Sequence, residues 1–153
     1  MYKTNIAKFK LIGLKLNKKT TNEGGQSGID CGNLWQKFEL EKFAELIPNK
    51  LSDEIYAVYF NYEGDDTKPF SYFIGCKVEI DTEAPKGLYS LIIPSGNYYH
   101  VTAKGKMTGC ITDAWKHIWS SGINRTYQYD FEVYDERSKD WNNAEVEIFV
   151  SVA

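Results

Sequence analysis

Tyr127-Gln128-Tyr129-Asp130-Phe131-Glu132-Val133-Tyr134 alternates as a half-buried strand does. Tyr127, Tyr129, Phe131 and Val133 share one face, apolar or aromatic, that suits a core. Gln128, Asp130, Glu132 and Tyr134 share the other. A carboxylate on a sheet face is ordinary where that face meets water. It becomes a binding device where the face lines an aromatic cleft. The function of the chain turns on which of these holds for Glu132.

Upstream of this strand, a helix is expected from about Thr108 to Ser121. Ile111, Ala114, Trp115, Ile118 and Trp119 lie on one flank, and Gly122 sits where a left-handed terminator is wanted. Tyr98 to Lys104 precedes it as a strand. Downstream, Arg137 to Asn143 is a polar turn, and Ala144 to Val152 reads as a closing strand at or near a sheet edge. The order is strand, helix, strand, strand.

The first part of the chain repeats that order. A strand runs from about Ile6 to Leu16. A helix follows from about Ile29 to Ile47, capped by Ser27 or Asp30 and ended by Pro48. Cys31, Leu34, Trp35 and Phe38 fall at helical spacing on it. Glu54–Tyr62 and Phe70–Ile80 form a hairpin around Gly64, Asp65 and Asp66, and a short strand, Leu88–Ile93, follows the break at Ala84-Pro85-Lys86-Gly87. Between the first strand and helix, residues 17–28 carry turn formers and charges without an apolar period. They read as a mobile loop, either a plain connection or a lid over a cleft.

Tyr56-Ala57-Val58-Tyr59 aligns without gaps on Phe131-Glu132-Val133-Tyr134. Such duplication predicts an α+β fold: two βαββ units in an antiparallel sheet, related by an approximate twofold axis, with two main helices. Residues 1–153 are expected to form one domain, with halves about 1–82 and 86–153. Corresponding strands then meet at a central seam, where Ala57 faces Glu132. A small residue opposite a carboxylate leaves room for a ligand beside the charge.

Composition narrows the function. A formal charge of −3 gives no electrostatic reason to expect nucleic-acid binding. Aromatics are abundant, 11 Tyr, 8 Phe and 4 Trp, and Tyr exceeds what core packing alone asks for, because each buried phenol wants a partner. Cys31, Cys76 and Cys110 form no CxxC pair, which points to a reducing compartment. With no signal peptide and no membrane-spanning apolar run, a cytoplasmic protein is expected. His100 and His117 lie in separate elements, Asp65-Asp66 lacks further oxygen ligands at calcium-loop spacing, and no phosphate loop is present, so neither metal nor cofactor is expected.

Five segments together resemble the GyrI-like effector-binding domains found in AraC-type and MerR-type drug-responsive regulators, in gyrase-inhibitor-like proteins and in products of mobile gene cassettes. They are Gly-Asn-Leu-Trp-Gln-Lys-Phe at 32–38, Ile-Tyr-Ala-Val-Tyr at 55–59, Gly-Leu-Tyr with Ile-Pro-Ser-Gly-Asn-Tyr within 87–98, Ala-Trp-Lys-His-Ile-Trp at 114–119 and Asp-Phe-Glu-Val-Tyr at 130–134. The resemblance implies an aromatic cleft for cationic, lipophilic drug-like molecules, with a late-strand glutamate, here Glu132, meeting the cation. Tyr134 is the expected neighbour on the same strand, Tyr59 the expected neighbour across the seam, and Trp35 and Trp119 the expected walls on the helices. Because the chain starts almost directly with its first strand, a sensing module without a DNA-binding segment is expected, its partner a separate regulator protein or a second copy. The family also implies two rival activities: hydrolysis of cyclopropane-containing toxins with Glu132 as general base, and gyrase inhibition through a protein surface.

Overall fold

The described residues of the computed structural model, 2–107 and 109–153, form one eight-stranded antiparallel sheet with two α-helices. The strands are β1 (Tyr2–Ile6), β2 (Phe9–Lys15), β3 (Ile55–Phe60), β4 (Ser71–Val78), β5 (Tyr89–Ile93), β6 (Gly96–Gly105), β7 (Tyr129–Tyr134) and β8 (Ala144–Val152). Helix α1 spans Gln26–Leu40 and α2 spans Gly109–Ser120. Among the described residues, no helix is long and apolar enough to cross a membrane.

The strand order, β1-β6-β8-β7-β3-β4-β2-β5, carries the duplication. The unit β2-α1-β3-β4 matches β6-α2-β7-β8, and β3 meets β7 at the centre. Each half also lends its leading strand to the other. β1, which runs into β2, pairs with β6; β5, which runs into β6, pairs with β2. The central register sets Ala57 against Glu132 and Tyr59 against Asp130.

Both faces of the central strands are covered. On one, Leu34 and Phe38 of α1 pack on Ile12, Ala57, Tyr72 and Ile74, while Trp115 and Ile118 of α2 pack on Val101 and Ile148. On the other, the strands fill the space with their own side chains, Phe9, Tyr56, Phe73 and Phe131 among them. The alternation of β7 therefore sends Phe131 and Val133 into an all-strand core. It sends Asp130 and Glu132, both buried, to the side bearing the helices.

Gly13 and Gly75 face each other across β2 and β4. A Cβ on Gly13 would run into the carbonyl of Ile74, and one on Gly75 into that of Ile12. The two backbones approach closely there, which only glycine allows.

Several elements differ from the sequence expectation. β8 is interior, paired with β6 on one side and β7 on the other, not an edge. The strand expected from about Ile6 to Leu16 is β2, which starts at Phe9. Ahead of it the exposed, polar-patterned β1 forms a further strand that the sequence expectation lacked, and covers the far half by pairing with β6. Tyr127 adopts a positive φ of 52° and lies outside β7. Helix α1 starts three residues earlier and ends well before Pro48, since Lys42 turns left-handed (φ 53°) and a 3-10 turn, Phe43–Leu46, follows. It has no side-chain cap: Ser27 donates to Asn22 Oδ1 instead, and Asp30 accepts from Thr20 and Gln26. Thr108, the expected start of the second helix, lies outside the described residues. Gly122 takes the expected left-handed conformation, φ 71°. Within 17–28, Thr20 exchanges backbone hydrogen bonds with Phe70, and Asn22 donates to the Asp66 carbonyl, so this segment is laced to the β3–β4 connection.

Candidate ligand-binding site

Glu132 is 1% exposed, and Ala57 opposite it adds almost no bulk. Three neutral donors converge on its carboxylate. Oε2 accepts from Tyr59 Oη at 2.8 Å and from Trp115 Nε1 at 2.7 Å, while Oε1 accepts from Tyr134 Oη at 2.7 Å. No cationic side chain among the described residues pairs with it. Burial pushes its pKa above the ordinary 4.5, against the pull of the hydrogen bonds from Tyr134, Trp115 and Tyr59. Burial and the nearby carboxylate push Tyr59 and Tyr134 well above 10, so both phenols remain donors at neutral pH.

An aromatic layer surrounds this carboxylate. Tyr59 stands edge-on to Trp115 at 5.3 Å between centroids, and Trp35 edge-on to Tyr134 at 4.8 Å. Trp35 Nε1 donates to Tyr72 Oη at 2.8 Å, and Tyr72 lies 5.0 Å from Tyr59. Tyr59 and Tyr134 touch the cores beneath both helices, tying the two halves together at the seam.

Two hollows open between α1 and α2 on either side of this layer. The first, about 490 Å³, is walled by Tyr59, Phe70, Trp115, Trp119 and Arg125. The second, about 870 Å³, is walled by Trp35, Met107, Tyr134 and Trp141. Its remaining lining includes Glu39, Asp53, Glu54, Asp135 and Glu136 against the single cation Lys139. Ile111 borders both hollows. Glu132 lines neither; Tyr59 and Trp115 separate it from the first hollow and Tyr134 from the second.

A second buried carboxylate lies two residues away, and its charge is met. Asp130 accepts from Arg125 Nη2 at 2.8 Å, Tyr62 Oη at 2.6 Å, Ser151 N at 2.7 Å and Ser151 Oγ at 3.0 Å. The contrast isolates Glu132: two buried acids on one strand face, one with a guanidinium and one without.

Among the residues expected from sequence, the structure brings Tyr59 and Tyr134 into hydrogen bonds with Glu132 and sets Trp35 against Tyr134. Trp119 is 42% exposed and stands on the wall of the first hollow without touching the carboxylate. Sequence reasoning left out Trp115, Tyr72 and the Arg125–Asp130–Tyr62 cluster. Trp115 was legible in part, one helical turn before Trp119 on the same flank; nothing local marks the partners of Asp130. Among the described residues, no cluster of three His, Cys, Asp or Glu side chains could hold a metal ion.

Trp115→Phe keeps the ring and removes a donor to a charged acceptor. It is expected to cost about 1–3 kcal/mol at a pH where Glu132 is ionised, and less at a pH where it is protonated. Urea unfolding at the two pH values reads the difference.

Two βαββ units joined at a seam, with a buried acid under an aromatic layer and hollows between the helices, define an effector-binding domain of the kind related to transcription regulators. The chain belongs to the integron-associated effector binding protein family (Cass2), which matches residues 4–152. It is similar to the integron cassette protein VCH_CASS2 from the mobile metagenome of Vibrio cholerae: 30% identity, TM-score 0.75, covering 99% of this chain and 95% of that one. It is similar also to the candidate transcriptional regulator YobU of Bacillus subtilis (strain 168), 27% identical over 78% of this chain and 77% of that protein. SAV2435, solved with tetraphenylphosphonium bound, shares the fold with a TM-score of 0.79 at 18% identity, covering 99% of this chain and 93% of that one.

Proposed function

We propose that this protein binds a lipophilic, aromatic cation between α1 and α2, with Glu132 as the countercharge. One observation carries the reading: a fully buried glutamate held by three neutral donors, with no cation paired to it among the described residues. A buried carboxylate without a countercharge is costly, and a positively charged guest supplies what is missing. The rings around it offer cation–π contacts worth roughly 0.5–2 kcal/mol each. The hollows fall in the size range of small-molecule sites, about 300–1,000 Å³. SAV2435, which shares the fold, was solved with such a cation. A guest reaches Glu132 when one of the donors, Tyr59, Trp115 or Tyr134, swings aside. The acidic lining of the second hollow favours a cation approaching from that side. One charge selects the ligand class, and ring walls tolerate many outlines.

Tetraphenylphosphonium and neutral triphenylphosphine oxide make a matched test. The cation is expected to bind and to change the fluorescence of Trp35, Trp115 and Trp119; the neutral compound is expected to bind far more weakly. Equal affinities would end the reading.

The sign of the pH dependence follows from the raised pKa of Glu132. Folding holds this proton more tightly than the unfolded chain does. The associated stability is full below about 4.5 and is lost as pH rises through the folded value. Cation binding needs the ionised form, so affinity is expected to rise with pH over the same window, by at most roughly tenfold per unit. Calorimetry in buffers of different ionisation enthalpy should detect proton release on binding there and none in Glu132→Gln.

A further inference from the structure

Arg125 is the one residue whose buried side-chain polar atoms have no hydrogen-bond partner among the described residues: Nε and Nη1 are both without one. Its side chain is 5% exposed. Nη2 is committed to Asp130 at 2.8 Å. Nη1 has only Asp66 Oδ1 at 3.9 Å, beyond hydrogen-bonding reach. The guanidinium lies 4.2 Å over the Tyr127 ring and 5.8 Å from the Trp115 ring, so packing holds it in place. Such a group is preorganised as a donor, and its N–H groups favour a carboxylate or carbonyl oxygen.

Arg125 is also a wall of the first hollow, with Lys116 and Thr112 of α2 nearby. The two hollows thus differ in charge. The first carries Arg125 and Lys116 against Asp66; the second carries five carboxylates against Lys139. Trp115 stands between the two polar centres, its Nε1 on Glu132 and its ring beside Arg125. A guest lying along that indole would meet a negative group toward Glu132 and a positive one toward Arg125.

We infer that the first hollow is the subsite for a hydrogen-bond acceptor or anionic group of the bound molecule, with Arg125 as its donor. The favoured ligand is therefore an aromatic cation that also carries a carboxylate or carbonyl, not a plain lipophilic cation. The inference rests on the reading that a small molecule binds between the helices and adds the chemistry of its second end.

Tetraphenylphosphonium and (4-carboxyphenyl)triphenylphosphonium test it, titrated calorimetrically into the protein, Arg125→Lys and Glu132→Gln. Arg125→Lys keeps a cation for Asp130 and removes the fork that presents Nε and Nη1. The carboxylated probe is expected to bind roughly tenfold tighter than the plain one to the unaltered protein, and equally to Arg125→Lys. No gain from the carboxylate, or a gain that survives in Arg125→Lys, overturns the inference. Should Arg125→Lys not fold, Asp66→Asn serves. Removing that negative neighbour is expected to raise affinity for the carboxylated probe relative to the plain one at least about twofold; no change in the ratio overturns the inference. Failure of the cation reading is visible separately, as full affinity of both probes for Glu132→Gln. A carboxylate gain that persists there and disappears in Arg125→Lys would still support the subsite.

Discussion

Glu132→Gln is expected to weaken tetraphenylphosphonium binding by at least about 2 kcal/mol, roughly thirtyfold, with the fold retained. The amide is close in shape to the carboxylate and can satisfy the same neighbours. Its oxygen can accept from Tyr59 and Trp115, and its nitrogen can donate to the Tyr134 oxygen, whose own proton then turns elsewhere. What disappears is the charge. The cost of keeping an ionised group under the helices disappears with it, so the unliganded variant is expected to be at least as stable as the parent at any pH where Glu132 is ionised. Calorimetric titration with the cation and with triphenylphosphine oxide, alongside urea unfolding, separates these effects. A loss of equal size for both compounds would mean that the variant had lost the pocket's shape and not its charge. Unchanged affinity for the cation would remove Glu132 from the site.

The second large effect lies far from any ligand. Gly75→Ala is expected to destabilise the fold by about 3 kcal/mol or more. An added methyl would collide with the Ile12 carbonyl and the Phe73 ring, and its partner strand presents Gly13 at the same level. A clash with backbone cannot be relieved by choosing another rotamer; β2 and β4 must part, which disturbs strands buried on both faces. Gly13→Ala is expected to behave alike. Gly28→Ala is the control: it sits in α1 with open space around the added carbon, and there alanine should raise stability by up to about 1 kcal/mol. The shift of the urea midpoint reads all three. A Gly75→Ala protein as stable as the parent would show that the two strands have slack at this level.

Much of the architecture was legible because it is written in short-range periodicity. A two-residue repeat from Tyr129 to Tyr134 and a helical repeat through Cys31, Leu34, Trp35 and Phe38 require no knowledge of partners. The gapless match of residues 56–59 with 131–134 pointed to duplicated units, and the β3–β7 register sets Ala57 against Glu132. Boundaries were less legible. Lys42, in the left-handed region, ends α1 with no glycine to announce it, and Tyr127 leaves the strand row the same way. The position of β8 was misjudged because its place in the sheet depends on β6, whose residues precede it by a helix and a strand.

The candidate site divides along the same line. Residue types that suit a charged, ring-lined pocket, and the alternation that puts Asp130, Glu132 and Tyr134 on one face, are properties of a few consecutive residues, and the sequence alone determined them. It could not say that this face lies under two helices, that Trp115 and not Trp119 reaches the carboxylate, or that Asp130 is neutralised while Glu132 is not. Those outcomes depend on contacts such as Tyr62 with Asp130, 68 residues apart, and Tyr59 with Glu132, 73 apart. Periodicity is set within one segment, whereas the pairing of a buried charge is set by whichever segments the fold brings to it, and so only the tertiary structure decided which acid was left without a countercharge.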